Sequence, residues 1–260
     1  MRLKSLAIIS CVLIAAMSFA GCSFYSKLRA RDQLNKGVQA FGENEYAKAT
    51  EFFVKAVELD PEFEVARMYL ATAYTQQFVP GSPDPKSNEM AQAAIRTFKE
   101  VFDSNPENPN LNAMISIASL YYQLQEYDKS KGWCENIKKI DPQNADAMYR
   151  IAVIDYDATV AKTGLQGEGV EFMSEEDKTK ALGDIDEGLK MLDQALSIRP
   201  TFFDAMEYQN LLWREKAKFE KDEAEKNKLI QRADLIAQNA LGLRLKFEQE
   251  EAKKPKKLIK

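Results

Sequence analysis

Between Tyr46 and Pro61 apolar side chains return every third or fourth position: Tyr46, Ala49, Phe53, Ala56 and Val57. That spacing puts them on one face and predicts an amphipathic helix. Asp60-Pro61 predicts its end, because proline lacks an N–H and clashes with the preceding turn. The design recurs, with long amphipathic stretches running into Pro106, Pro142 and Pro200. A last stripe of Leu229, Ala233, Ile236, Ala240 and Leu243 predicts a closing helix over about 227–247. Self-similarity of this kind predicts an array of stacked helical units.

Small residues fall where paired helices would cross: Gly37, Ala49 and Ala56, then Ala71 and Ala94, Ala118 and Ser130, and Ala152, Gly188 and Ala195. Large ones fill between them at Phe53, Tyr74, Phe98, Tyr121 and Leu192. Helix axes come within roughly 8–10 Å only where the crossing side chains permit it. In these positions the chain resembles the tetratricopeptide repeat, a helix-turn-helix unit of about 34 residues. It departs from the pattern at Ala40, Asp155 and Asn210. The resemblance implies an all-α solenoid of about five units wound as a right-handed superhelix. Its repeats would cover about 30–63, 64–108, 111–144, 145–202 and 203–248.

Two units carry insertions between their helices. One is the proline- and glycine-rich stretch 79–88; the other runs over about 162–178 and holds Gly164, Gly167, Gly169 and Phe172. The first and third units have tight turns at the same place, at Glu43-Asn44-Glu45 and Gln125-Glu126. Insertions at one edge of a repeat array often serve binding, while solvated loops also vary freely in length. The insertions, with Tyr208–Glu215, are similar to those of a set of bacterial repeat lipoproteins.

The chemistry of the chain is sparse. Histidine is absent, which removes the commonest general base, the commonest zinc ligand and any Ser-His or Cys-His pair. No Gly-x-Ser-x-Gly or phosphate-binding glycine loop occurs; Gly164-x-x-Gly-x-Gly169 lacks a preceding strand. Asp155 with Asp157, and Asp184 with Asp186, are i, i+2 pairs that point to different helix faces. We therefore expect no catalytic residue, metal site or cofactor. With 29% charged residues, a net charge of −4 and no basic stripe, nucleic acid is a poor partner.

Residues 1–21 read as a secretory leader: Arg2 and Lys4, an apolar run from Leu6 to Ala16, then small residues. Phe19-Ala20-Gly21-Cys22 resembles the lipobox of bacterial lipoproteins, with Phe19 where an aliphatic residue is usual. The resemblance implies a mature chain beginning at acylated Cys22, and Ser23 implies an outer-membrane destination on the periplasmic face. Cys134 on a helical apolar face reads as a small buried hydrophobe. A short tether is expected over 22–29, and Lys253–Lys257 and Lys260 predict a solvated basic tail over 249–260.

The resemblance further implies a concave groove lined by the first helix of each unit. Counted from the crossing residues, it would present Tyr69, Tyr122, Gln123, Tyr149, Arg150, Val153, Tyr156 and Tyr208. Tyrosine offers broad contact area with a polar tip, which suits a segment of a protein partner. The expected function is thus a membrane-tethered, non-enzymatic adaptor for envelope assembly of the outer-membrane, pilus or secretion, or cell-wall class. The alternative is a small-ligand or sensory protein with a pocket near the insertions, involving Phe172 or Phe78.

Overall fold

The computed structural model describes residues 24–253, in two compact units that divide between Gln125 and Glu126. The leader, Cys22 and residues 254–260 lie outside the described residues. The first unit contains α1 (24–42), α2 (Tyr46–Leu59), α3 (Glu64–Gln77), α4 (Pro85–Ser104) and α5 (Leu111–Gln123). The second contains α6 (Tyr127–Ile140), α7 (Ala145–Thr163), a 3₁₀ turn at Val170–Phe172, α8 (Glu175–Ile198), α9 (Phe203–Lys218) and α10 (Glu223–Lys253). No strand occurs among the described residues.

The proline stops act as read. α2, α4, α6 and α8 end at Leu59, Ser104, Ile140 and Ile198, each two residues before its proline. The intervening residue leaves the helical region every time, with φ between −143° and −125° and ψ between 76° and 88°. Steric conflict with the proline ring excludes the α conformation there.

In the first unit Ala40, Ala49, Phe53, Leu70 and Ala73 form a core, with Leu34, Phe41, Phe52 and Tyr74 packed against it. Gly37 lets α1 lie directly on the Phe53 ring. The turn between α1 and α2 puts Asn44 at φ 62°, and the amide of Glu45 donates to Ala40 O at 2.9 Å. Gln125 repeats this at φ 59°, with the Lys129–Glu126 ion pair matching Lys48–Glu45. The first insertion is shorter than expected. Pro85 already begins α4, Asp84 caps it by accepting from the Lys86 amide, and the Ser87 hydroxyl donates to Val79 O at 3.0 Å.

In the second unit Ile151, Ala152, Ile185, Leu192, Ala205 and Leu212 are fully buried. Gly188 sits at the crossing of α7, α8 and α9; a Cβ there would press on Leu212 and lie 3.5 Å from the Ala152 Cα. Three further boundaries differ from the sequence reading. Residues 24–29 are helical rather than a tether, because α1 continues outward past its partner. α7 and α8 extend into the expected insertion, leaving 164–174 between them. α10 runs on to Lys253 through what was expected to be tail. No described helix is long and apolar enough to cross a membrane.

The close approach at Gly37 yields a first prediction. An added methyl collides with a ring that is itself fully buried. Overpacking costs about 1–3 kcal/mol, which outweighs the helix-propensity gain of at most about 1 kcal/mol. Gly37→Ala should therefore lower the thermal midpoint, whereas Gly42→Ala, with nothing within 4 Å, should not. Melting curves followed by circular dichroism compare the two.

Candidate interaction surface and cleft

Tyr149 and Tyr156 stand on α7 two turns apart, and Tyr208 on α9 reaches both. The Tyr208 ring meets Tyr149 edge-on at 5.4 Å and Tyr156 edge-on at 5.6 Å, and Tyr149 packs on Phe202 at 5.0 Å. Edge-to-face contacts of this kind suit the aromatic quadrupole. All three tyrosines are half-buried, as is the neighbouring Arg150. Burial pushes the Tyr149 phenol up to about 12, so it stays a neutral donor. Val153 lies on the same stripe of α7, between Tyr149 and Tyr156, but it is 2% exposed and belongs to the core.

In the first unit Tyr69 on α3 is 37% exposed and stacks on Phe53 at 5.5 Å. On α5, Tyr122 is half-buried and Gln123 is exposed, its amide donating to the Ser119 hydroxyl at 3.3 Å. The expected groove residues thus fall into two groups, one in each unit.

Below the second insertion lies a half-open cleft of about 720 Å³, within the usual range for small-molecule sites. Leu165, Val170, Leu182, Ala217, Phe219 and Ile230 supply its apolar walls. Lys178, Arg214, Lys218, Lys221 and Lys226 face it together with Glu171, Glu175 and Glu220. Phe172 takes no part, being 88% exposed, and Phe78 is buried in the first unit. A smaller hollow of about 450 Å³ lies beside the first insertion, between Val79 and Ser87.

The loop over the larger cleft is built rather than slack. Gly164 and Gly167 adopt φ 74° and 88°, where L-residues are strained, and a Cβ on Gly169 would strike the Lys162 carbonyl. Buried Glu215 on α9 accepts from the Thr163 hydroxyl at 2.9 Å and pairs with Lys218, whose ammonium also donates to Gly164 O at 2.7 Å. Sequence reasoning missed this network. Its signal was a glutamate in register with Ala205, Gln209 and Leu212 on the inner face of α9.

A second missed cluster joins α6, α7 and α8. The Lys131 ammonium bonds Asp155 at 2.6 Å and Glu187 at 2.8 Å, and Asp184 lies close by. Asp155 and Asp184 thus come together from different helices, while Asp186, two residues from Asp184, pairs instead with Lys216. Lys131 engages two of the three carboxylates, so the group reads as an ion-pair cluster. Burial pulls Lys131 down, but hydrogen bonds to Asp155 and Glu187 outweigh it and hold the amine above its ordinary value. Burial pushes Asp155 up to about 7 against the pull of Lys131, and Glu187 and Asp184 add to the rise. Its Oδ2 is buried without a hydrogen-bond partner, so the ionised carboxylate is poorly solvated there. Cys134 is also buried, and its thiol is pushed up to about 12, an inert packing group.

The family model of the tetratricopeptide repeat matches residues 111–144, which span α5 and α6. A crystal structure of MamA aligns with a TM-score of 0.57 at 15% identity, covering 82% of this chain and 96% of that one. The fold is a tetratricopeptide-repeat solenoid. MamA residues 41-end from Desulfovibrio magneticus RS-1 give the same TM-score at 11% identity, covering 84% of this chain and 96% of that one. YrrB, described as a TPR protein with an unusual peptide-binding site, gives 0.50 at 16% identity over 84% of this chain and 90% of that one. No curated protein matches the sequence. Within the repeat fold the tyrosine face lies on α7 and α9, the first helices of their pairs, and the cleft lies by the loops that join pair members.

Asp155 makes the stability of the fold depend on pH. Its folded value lies above the usual carboxylate range, so its stabilising contribution is complete at acid pH and is lost as pH rises toward 7. No histidine titrates in that window. Urea unfolding should show the protein more stable at pH 5.5 than at pH 8 by on the order of 2 kcal/mol, from about 1.4 kcal/mol per pH unit. Asp155→Asn should flatten that dependence.

Proposed function

We propose that the chain is a non-enzymatic adaptor, tethered by acylated Cys22 to the periplasmic face of a bacterial outer membrane, that holds a protein segment on its tyrosine surface. The carrying observation is the half-buried row Tyr149–Tyr208–Tyr156, rigid through edge-to-face contacts and presented by two first helices. Rigid aromatics bind at low entropic cost because few rotamers are lost. Tyr69, Tyr122, Gln123 and Arg150 offer further polar and aromatic contacts in the same class of helix. The peptide-binding site named for YrrB, on the same fold, supports a polypeptide ligand. The adaptor serves envelope assembly, in the outer-membrane, pilus or secretion, or cell-wall class.

Replacing Tyr208 or Tyr156 by benzoylphenylalanine keeps an aromatic in place and permits photocrosslinking in the intact envelope. We expect a discrete protein adduct from both positions and none from Gly183, an exposed site on α8 with open space around it. Adducts of equal yield from all three, or from none, would count against the surface. Acylation is read separately: radioactive palmitate should label the protein and be lost in Cys22→Ser.

The cleft favours a second reading, in which a small envelope ligand is bound beneath the second insertion. Its volume and its glycine-shaped, Glu215-anchored loop support that reading. Native mass spectrometry of protein purified from its envelope should then show a small adduct that Leu182→Lys removes. Protein emerging without an adduct would leave the adaptor reading alone.

A further inference from the structure

α1 is longer than the helix that covers it. It has nineteen residues from 24 to 42 against fourteen in α2, and the three-residue turn at 43–45 holds their adjoining ends level. At 1.5 Å per residue about 7 Å of α1 runs on beyond α2. Burial agrees with that geometry: Ala30 is the first fully buried residue of the helix.

The overhang carries the wrong residues for water. Phe24, Tyr25 and Leu28 are 70%, 65% and 54% exposed. At about 100° per residue these three fill one arc of roughly 100°. Ala30, Leu34 and Gly37, which face the core, lie on the opposite side of the helix. The apolar arc therefore points away from the protein, where α2 cannot cover it. Arg31 and Lys27 flank the arc on one side and Arg29 on the other. Among the described residues no ion pair engages these three cations; Arg29 lies over the Tyr25 ring at 5.9 Å. The first acidic residue of the whole chain is Asp32, and it is already paired with Lys36 at 2.6 Å.

We infer that the opening turns of α1 are a contact site for an anionic bilayer. Phe24, Tyr25 and Leu28 enter the interfacial layer, while Lys27, Arg29 and Arg31 meet anionic headgroups. Aromatic side chains favour that layer, and basic residues near its surface are attracted to anionic lipid. Phe24 is two residues from Cys22, and two residues span at most about 7 Å. An acyl anchor on that cysteine thus places the arc at the membrane surface. In this respect the inference rests on the tethered reading. It adds that the protein is oriented by its first helix rather than swung on a free leash.

The test removes the anchor so that the two readings fail separately. The chain from residue 22 onward with Cys22→Ser keeps every described residue and has no acylation site. It is sedimented with vesicles of phosphatidylglycerol mixed with phosphatidylcholine, and with vesicles of phosphatidylcholine alone. We expect binding to the anionic vesicles that weakens about tenfold or more on neutral ones, and by a similar factor in Phe24→Ser/Tyr25→Ser/Leu28→Ser. The triple variant should keep its melting temperature, since all three side chains are exposed. Absence of binding to anionic vesicles, or equal binding by the triple variant, overturns the inference. So does self-association in solution that the triple variant abolishes, which would assign the arc to a second copy. Lack of acyl mass on Cys22 in the native protein would refute the anchor and leave the vesicle result unchanged.

Discussion

Close approach at small side chains is the constraint on which the fold depends. A helix with one apolar stripe gains stability only by burying it against a neighbour, and a short array has few neighbours to offer. At Gly37 and Gly188 the missing side chain is replaced by a neighbour's bulk, Phe53 in one case and Leu212 in the other. The alanines at 49, 56, 152 and 195 serve the same end, each being fully buried. The large side chains thereby interlock with small ones across each crossing, and Tyr69, Tyr149, Tyr156 and Tyr208 on the first helices stay partly exposed.

Not every inner position is apolar. Asp155 and Glu215 occupy core-facing places on α7 and α9, and each is tied to a lysine and to one further helix or loop. Apolar residues of similar volume are often as stabilising as a buried ion pair. What the charged groups add here is direction: Lys131 joins three helices, and Glu215 fixes where the second insertion leaves α7. The cleft owes its shape to that second linkage.

The helical array was legible in the sequence because its signals are local. Apolar spacing, small crossing residues and the proline stops each act within a few turns, and the observed ends of α2, α4, α6 and α8 follow directly. The ends facing the insertions were less legible. Ser174 and Asp84 are both good caps, but glycine- and proline-rich flanks suggested longer loops than the structure contains. The first turns of α1 were misread for another reason: their apolar residues lack the core-directed spacing. The tyrosine positions on α7 and α9 were readable from repeat register, but their mutual contacts were not, since these depend on how neighbouring pairs pack. The Lys131 and Glu215 networks join residues up to 56 positions apart, beyond the reach of any pattern along a single helix.

The proline stops have a consequence for how such a chain can grow. Between pairs the connections are short: four residues at 60–63, 141–144 and 199–202, and six at 105–110. Within pairs they vary from three residues at 43–45 to eleven at 164–174. One residue added inside a helix ahead of a stop would turn everything beyond it by about 100° and carry the next small residue off its crossing. The same residue added between the two members of a pair disturbs no crossing. Length can therefore accumulate in the loops within pairs, and it is beside the longest of them that the larger cleft has formed.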